Sequence, residues 1–200
     1  MLLDSEPPPF ASFEELERDA LACRKCPLAE KRTQVVFGVG DPAADLLFVG
    51  EGPGEQEDLQ GIPFVGRAGQ LLTRLIEGIG LDRSQVYIAN VVKCRPPGNR
   101  DPLPAEIEAC APYLEGQLRF IDPAVVVTLG NFATKLLLDT KEGITKLRGR
   151  QFPFRDHAVL IPTFHPSAVL RNGGAALAQA RADFVVVKRV LAREQRAAAS

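Results

Sequence analysis

Residues 45 to 54 read Asp45-Leu46-Leu47-Phe48-Val49-Gly50-Glu51-Gly52-Pro53-Gly54. A short apolar run that stops at a glycine-rich turn is typical of a buried strand, and this turn carries one carboxylate. In open α/β sheets, ligands bind at the edge where parallel strands end. Two further apolar runs end in polar side chains, Asn90 and His165. The sequence therefore predicts a site in which a carboxylate, an amide and an imidazole meet at one sheet edge.

Apolar runs alternate with segments of helical periodicity along the whole chain. Strands are predicted at residues 45–49, 86–92, 124–129 and 158–161, and helices at 13–22, from 71 to 79, from 104, at 131–138 and at 175–192. This alternation predicts the α/β class, as a single-domain three-layer sandwich around a central, mainly parallel four-stranded sheet. A strand at residues 185–187 remains an alternative to the last helix. The domain is expected to span residues 11–193, with a flexible segment at 1–10 and a frayed end at 194–200.

Composition limits the class of protein. The 200 residues carry a net charge of −1 and 46% hydrophobic residues, and no stretch approaches the roughly 20 apolar residues of a membrane span. The acidic, proline-rich start lacks the features of a secretory signal. We therefore expect a cytoplasmic protein that does not bind membranes. The segment between residues 141 and 156 contains five basic residues and two acidic ones. This local excess of positive charge fits either an ordinary solvated loop or contact with a polyanion.

The four cysteines form two pairs, Cys23 with Cys26 and Cys94 with Cys110. In the cytoplasm, cysteines stay reduced unless they bind metal or take part in chemistry. Two such pairs can surround one tetrahedral metal ion or one iron–sulfur cluster. Zinc ribbons commonly repeat C-x-x-C twice, and this chain does not, which favours a cluster. Unrelated core thiols or a redox pair remain alternatives.

Four side chains near the predicted edge are candidates for chemistry, and each also has a structural explanation. Glu51 could position water, accept a proton or cap a helix. Asn90 lies in an apolar strand, where its amide must find partners, and it suits the edge of a pyrimidine. His165 is followed by a proline that fixes the local backbone. Phe64 could pack in the core or stack on a base.

Taken together, these motifs resemble a known family. Gly50 to Asp58, Gly61-Ile62-Pro63-Phe64-Val65-Gly66, Asn90 with Cys94 close behind, and His165-Pro166-Ser167 resemble the family 4 uracil-DNA glycosylases, the thermostable iron–sulfur branch of that superfamily. The resemblance runs from Cys23 to about Arg189. It implies an enzyme of base excision repair that flips uracil out of DNA, hydrolyses its N-glycosidic bond and leaves an abasic site.

The resemblance also implies roles for particular residues. A structural 4Fe-4S cluster would be held by Cys23, Cys26, Cys94 and Cys110. Phe64 would stack on the uracil, Asn90 would read its edge, and His165 would donate to O2 as negative charge builds there. The backbone around Glu51, Gly52 and Pro53 would line the pocket. DNA would lie near Lys146, Leu147, Arg148 and Arg150, with Leu147 as a wedge into the base stack. The partner is uracil-containing DNA, single- or double-stranded, and we expect a monomer.

One departure from the wider superfamily concerns the attacking water. The best-known uracil glycosylases carry a water-activating aspartate directly after the position of Glu51, where this chain has Gly52. Glu51 becomes the leading candidate for that role. Either Glu57 or Glu51 could crowd the methyl group of thymine. Two other functions on the same scaffold stay open: an iron–sulfur electron carrier and a non-catalytic nucleic-acid-binding module.

Overall fold

A six-stranded mixed sheet forms the centre of the protein, in a computed structural model that describes residues 9 to 198. The strands are β1 (Val39–Gly40), β2 (Leu46–Gly50), β3 (Tyr87–Asn90), β4 (Val125–Leu129), β5 (Phe152–Phe154) and β6 (Ala158–Thr163). The four strands predicted from apolar runs are present and pair in parallel, in the order β3-β2-β4-β6. Two antiparallel strands, β1 and β5, complete the edges.

The expected count of four strands is therefore too small. Both additional strands are very short, two residues in β1 and three in β5. One contains Gly40 and the other contains Pro153, residue types that strands disfavour except at edges and bulges. Neither forms a continuous apolar run like those of the four inner strands, because edge strands are only partly buried.

Helices cover both faces of the sheet, which confirms the three-layer architecture. They are α1 (Phe13–Ala22), α2 (Leu28–Lys31), α3 (Glu55–Gln60), α4 (Arg67–Glu77), α5 (Pro104–Ile121), α6 (Asn131–Leu138), α7 (Ile144–Leu147), α8 (Pro166–Asn172) and α9 (Gly174–Ala198). In β2, Leu47 and Val49 face a core formed with α1, α5 and α6. Leu46 and Phe48 face the opposite core, formed with α4, α8 and α9. Successive strand residues point to opposite faces, so both cores depend on the same strands.

The last helix is longer than its sequence pattern indicates. It runs from Gly174 to Ala198, so residues 185–187 are helical rather than a strand, and residues 194–198 belong to its final turns. The rest of the expected frayed end, and residues 1–8 of the expected flexible start, lie outside the described residues. Within residues 9 to 198, no helix is both long and apolar enough to cross a membrane.

The loop after β2 contains a helix that the sequence pattern does not predict. Helix α3 consists of six residues between Gly54 and Gly61, and three of them are acidic. Gly61 ends it in the left-handed conformation, with φ of 72°, which glycine adopts without a steric penalty. Such a short polar segment has no apolar periodicity to reveal it. Its effect is to turn the chain back toward the sheet edge, where Phe64 follows.

Candidate active site

A cleft of about 750 Å³ opens at the edge where the parallel strands end. All the residues predicted to surround the base lie in its lining: Glu51, Gly52, Pro53, Phe64, Asn90 and His165. They come from distant parts of the sequence and meet because β2, β3, β4 and β6 point the same way. This is the position at which open α/β sheets bind their ligands.

Asn90 presents an unpaired acceptor to this cleft. It ends β3 in register with Gly50 of β2, and the residue is 2% exposed. Its Oδ1 atom is buried and has no hydrogen-bond partner among the described residues. A buried acceptor left unpaired costs about 1–3 kcal/mol. The arrangement therefore suits a ligand that brings an N–H group to this oxygen.

Phe64 forms a wall of the cleft, and its backbone is fixed from three sides. Its φ of 53° lies in the left-handed region, which is uncommon for a residue with a bulky side chain. The carboxylate of Glu57 accepts hydrogen bonds from the N–H groups of Val65 and Gly66, at 3.0 and 3.1 Å. Arg83 donates to the carbonyl of Pro63. These contacts hold the Phe64 ring with its centroid 5.8 Å from that of His165.

His165 is held in one orientation by the start of α8. Its Nδ1 atom accepts the N–H of Ser167 at 3.2 Å and lies 2.7 Å from Ser167 Oγ. Burial lowers the pKa of His165 to about 4, and the charge of Arg171 acts in the same direction. The imidazole is therefore neutral at neutral pH. Because Nδ1 accepts, the ring proton resides on Nε2, which makes that atom a hydrogen-bond donor.

Glu51 has a neighbour that the sequence does not reveal. Burial raises the pKa of Glu51 to about 7, and the negative charge of Asp101 and a hydrogen bond with it act in the same direction. Asp101 also lines the cleft. An ion pair between Arg100 and Glu106, at 2.6 Å, anchors the turn that carries it. In the sequence, Asp101 belongs to an irregular proline-rich segment, with nothing to indicate its approach to Glu51.

The four cysteines lie near enough to one another to interact electrostatically. Cys23 follows α1 and Cys26 precedes α2, while Cys94 and Cys110 are buried. Arg32 donates to Cys94 Sγ at 3.1 Å. Burial raises the pKa of the Cys110 thiol to about 12, and the neighbouring Cys94 and Cys23 add to that shift. Among residues 9 to 198, no group of three or more His, Cys, Asp or Glu side chains is arranged to hold a single metal ion.

A lysine lies between the cysteines and the cleft. Lys93 is 1% exposed, and its Nζ atom donates to the carbonyl oxygen of Asn90 at 2.7 Å and to Gln117 Oε1 at 2.5 Å. Burial lowers the pKa of Lys93 to about 8, whereas the nearby Cys110 and Cys94 act in the opposite direction. Lys93 is not among the candidates selected from the sequence. The signal available in the sequence is the position of this lysine directly after the apolar run that ends at Val92, which places it next to a predicted buried strand.

The basic segment is only partly exposed in this structure. Leu147 is 3% exposed, so a role as a wedge would require its side chain to leave this buried position. Arg148 forms a bidentate pair with Asp183, at 2.6 and 3.1 Å, so its guanidinium is engaged within the fold. Lys146 and Arg150 are exposed. Only the latter two remain available to a polyanion in this conformation.

Comparison with known proteins identifies the relatives of this chain. The family model described as the uracil DNA glycosylase superfamily matches residues 37–187. A type-4 uracil-DNA glycosylase of Thermotoga maritima is 52% identical over 151 residues, which cover 75% of this chain and 79% of the relative. One from Sulfurisphaera tokodaii is 47% identical over 169 residues, with 80% and 77% covered. A type-5 uracil-DNA glycosylase of Thermus thermophilus is 31% identical over 183 residues, with 73% and 83% covered.

Proposed function

Because the chain belongs to the type-4 branch of the uracil-DNA glycosylase superfamily, we propose that its cleft binds a uracil flipped out of DNA and hydrolyses the N-glycosidic bond. The observation that carries the assignment to this cleft is the buried, unpaired Oδ1 of Asn90. The reaction is a hydrolysis that releases free uracil and leaves an abasic site. It is the first step of repair of deaminated cytosine.

The amide of Asn90 matches the edge of uracil and mismatches that of cytosine. Uracil N3–H donates to Oδ1, and the side-chain NH₂ group donates to uracil O4. Cytosine has an acceptor at N3 and an amino group at position 4, so both contacts become unfavourable. A site with buried polar groups rejects the wrong hydrogen-bond pattern strongly, because those groups then stay unpaired. Asn90 is thus the group that reads the base.

Phe64 supplies the stacking surface. Flipping a base out of the duplex costs a few kcal/mol, and stacking on an aromatic ring returns about 1–3 kcal/mol. The contacts of Glu57 and Arg83 hold this ring before the base arrives. The fixed carboxylate of Glu57 also lines the cleft. We assign to it the exclusion of the thymine methyl group, because it is more firmly held than Glu51.

Bond cleavage places charge where this chain has complementary groups. As the bond between uracil N1 and deoxyribose C1′ breaks, its electron pair passes to the base and negative charge develops on O2. His165 Nε2–H donates to that oxygen, and removal of one such donor typically costs about 10²–10³ in rate. Water adds to the cationic C1′, and its proton passes to a carboxylate. Glu51, in its ionised form, is the candidate acceptor.

We further propose that Cys23, Cys26, Cys94 and Cys110 hold a structural 4Fe-4S cluster. The donor set consists of thiols alone, which suits such clusters. The cysteines that would hold the cluster lie at the end of α1, before α2, after β3 and in α5. Glycosidic hydrolysis itself moves no electrons, so the cluster would support the fold rather than take part in the reaction.

The test is excision from an oligonucleotide with one uracil, beside matched oligonucleotides with thymine or cytosine at that position. Alkali reveals each abasic site as a strand break. We expect breaks at uracil only. Folded protein with full iron content that binds the uracil oligonucleotide without breaking it would instead indicate a binding module. Inactive protein whose cluster changes oxidation state at accessible potentials would favour the electron carrier.

A further inference from the structure

We propose that Lys93 is a positioning residue for base recognition, which holds Asn90 by its backbone carbonyl and links it to the cysteine-bearing helix α5. The inference rests on the proposed function of the cleft, because it concerns the residue that reads uracil. Lys93 lies outside the cleft lining and cannot touch the base. Its effect must therefore pass through Asn90.

The contacts of the ammonium group define this link. On one side, Lys93 Nζ donates to the Asn90 carbonyl at 2.7 Å. On the other, it donates to Oε1 of Gln117, a fully buried residue of α5, at 2.5 Å. Gln117 is itself fixed, because its Nε2 donates to the carbonyl of Phe37 at 2.9 Å. The lysine therefore connects the end of β3 to two other segments of the core.

Fixing the backbone of Asn90 fixes the direction of its side chain. The chain after Asn90 continues to bond the end of β2 and the loop that follows it, through Val91 N–H to Gly50 O at 2.9 Å and Val92 N–H to Glu51 O at 3.1 Å. Those bonds hold the N–H side of the segment, whereas Lys93 holds the carbonyl of Asn90 itself. Without the ammonium group, this buried carbonyl loses a charge-assisted hydrogen bond. Small shifts in such supports are costly when a group must meet a ligand in one geometry.

Lys93 also contacts the cysteines. Its backbone N–H donates to Cys110 Sγ at 3.3 Å, and Cys94 is the next residue in the chain. Among residues 9 to 198, no Asp or Glu side chain forms an ion pair with the Lys93 ammonium group, so its hydrogen bonds to Asn90 and Gln117 are the contacts that hold it. The residue that supports Asn90 therefore lies directly against two of the cysteines proposed to hold the cluster.

Lys93→Met tests the inference, because it keeps the length of the side chain and removes the ammonium group. Free uracil and DNA containing a tetrahydrofuran abasic analogue are titrated against the iron-loaded protein. We expect about tenfold weaker binding of free uracil and unchanged affinity for the abasic DNA, since only the base edge meets Asn90. Glu115→Gln is the matched control: Glu115 is another buried polar residue of α5, and it pairs with Arg155 rather than with Lys93. It should leave both affinities unchanged.

Gln117→Met removes the second acceptor of the Lys93 ammonium group and keeps the lysine itself. This variant provides the test if Lys93→Met does not fold. It should weaken uracil binding less than Lys93→Met and more than Glu115→Gln. Uracil affinity equal to wild type in the folded Lys93 variant would overturn the inference. So would equal losses in the Lys93 and Glu115 variants, which would indicate general destabilisation of α5. Wild-type protein that excises no uracil would instead overturn the proposed function.

Discussion

The main chain of Gly50 lies directly against the side-chain amide of Asn90. A Cβ atom at position 50 would fall 2.3 Å from Asn90 Oδ1 and 2.7 Å from the ring of Phe64. Glycine is therefore required here by close approach. The two groups proposed to hold uracil, one by its edge and one by its face, share this contact surface.

Gly50→Ala should displace both groups while it leaves the fold intact. We expect kcat/KM for uracil excision to fall about 10²-fold, because misplacement of binding groups by about 1 Å has effects of that size. Gly174→Ala is the control, since a Cβ there meets nothing within 4 Å. Steady-state kinetics and melting temperatures of both variants provide the measurement. Unchanged kcat/KM in Gly50→Ala would contradict the packing argument.

His165→Ala should reduce the rate of bond cleavage and leave DNA binding nearly unchanged. Loss of the donor to O2 predicts a fall of about 10²–10³ in single-turnover rate. His157→Ala is a matched control, because this other histidine is exposed, with its Nε2 atom 3.5 Å from Asp122 Oδ1. Affinity is measured on abasic DNA. A single-turnover rate in His165→Ala equal to that of His157→Ala would remove His165 from the mechanism.

Glu51 predicts a rate that depends on pH. Only its ionised form can accept the proton of water, and its pKa is raised to about 7. Single-turnover excision should therefore increase as pH rises through about 7 and then level off. Glu51→Gln should be slow and lack this step. A wild-type profile that is flat between about pH 6 and pH 8 would exclude Glu51 as the acceptor.

The raised pKa of Glu51 also makes the stability of the folded protein depend on pH. The folded protein favours neutral Glu51. The contribution of Glu51 to the free energy of unfolding is therefore fully present below the pKa that this residue has in the unfolded chain, and it is lost as pH rises through about 7. Glu51→Gln, which cannot ionise, should gain in melting temperature relative to wild type between about pH 5 and pH 8. A difference in melting temperature that does not change with pH would contradict the raised pKa.

Each single Cys→Ser variant at positions 23, 26, 94 and 110 should lose iron and melt at lower temperature. The thiolate is the ligand, and serine replaces it poorly. The iron-to-protein ratio and visible absorption are measured beside the melting curve. Full iron content in all four variants would refute the proposed ligand set. Stoichiometric zinc in colourless wild-type protein would refute the cluster itself.

Arg148→Ala and Arg150→Ala should act in different ways, although both remove a charge from one segment. Arg148 pairs with Asp183, which is 2% exposed, and breaking such a pair costs about 3 kcal/mol of stability. Arg150 is exposed, so its loss should leave stability unchanged. The slope of log DNA affinity against log salt concentration should become shallower by about the amount that one phosphate contact contributes. Denaturant melts and binding at several salt concentrations distinguish the two effects. Identical effects of both variants would contradict this division.

The predictable parts of the molecule are those governed by local pattern. The runs ending at Gly50, Asn90 and Leu129 are apolar almost throughout because both faces of an inner parallel strand are covered. Their common direction then brings polar residues at their ends together. For this reason the main candidates, Glu51, Asn90 and His165, could be assigned to one edge from the sequence alone. The same pattern distinguishes His157, which precedes its strand and is exposed, from His165, which follows the strand and lines the cleft.

The remaining features depend on contacts between distant segments. The approach of Asp101 to Glu51 follows from how a proline-rich turn folds over the cleft, and no periodicity encodes that. The pairing of Arg148 with Asp183 requires the position of α9, which lies far along the chain, and the burial of Leu147 requires that α7 pack against the sheet. In sequence, both residues belong to a basic segment of exposed appearance. From the sequence, Lys93 likewise looks like a surface lysine, because its burial depends on α5 and on the contact with Gln117.

The backbone at Phe64 has a consequence for how this protein evolves and how it is engineered. A left-handed conformation at a non-glycine residue stores about 1–3 kcal/mol of strain, and Phe64 adopts it with φ of 53°. Glycine at this position would relieve the strain, but it would also delete a ring that is 7% exposed and packs in the core formed with α4, α8 and α9. Loss of a buried phenylalanine costs about 3–5 kcal/mol, which exceeds the strain that is relieved. Selection for stability and selection for repair should therefore both retain Phe64, because the same packing that compensates for its backbone also holds the ring that faces the cleft.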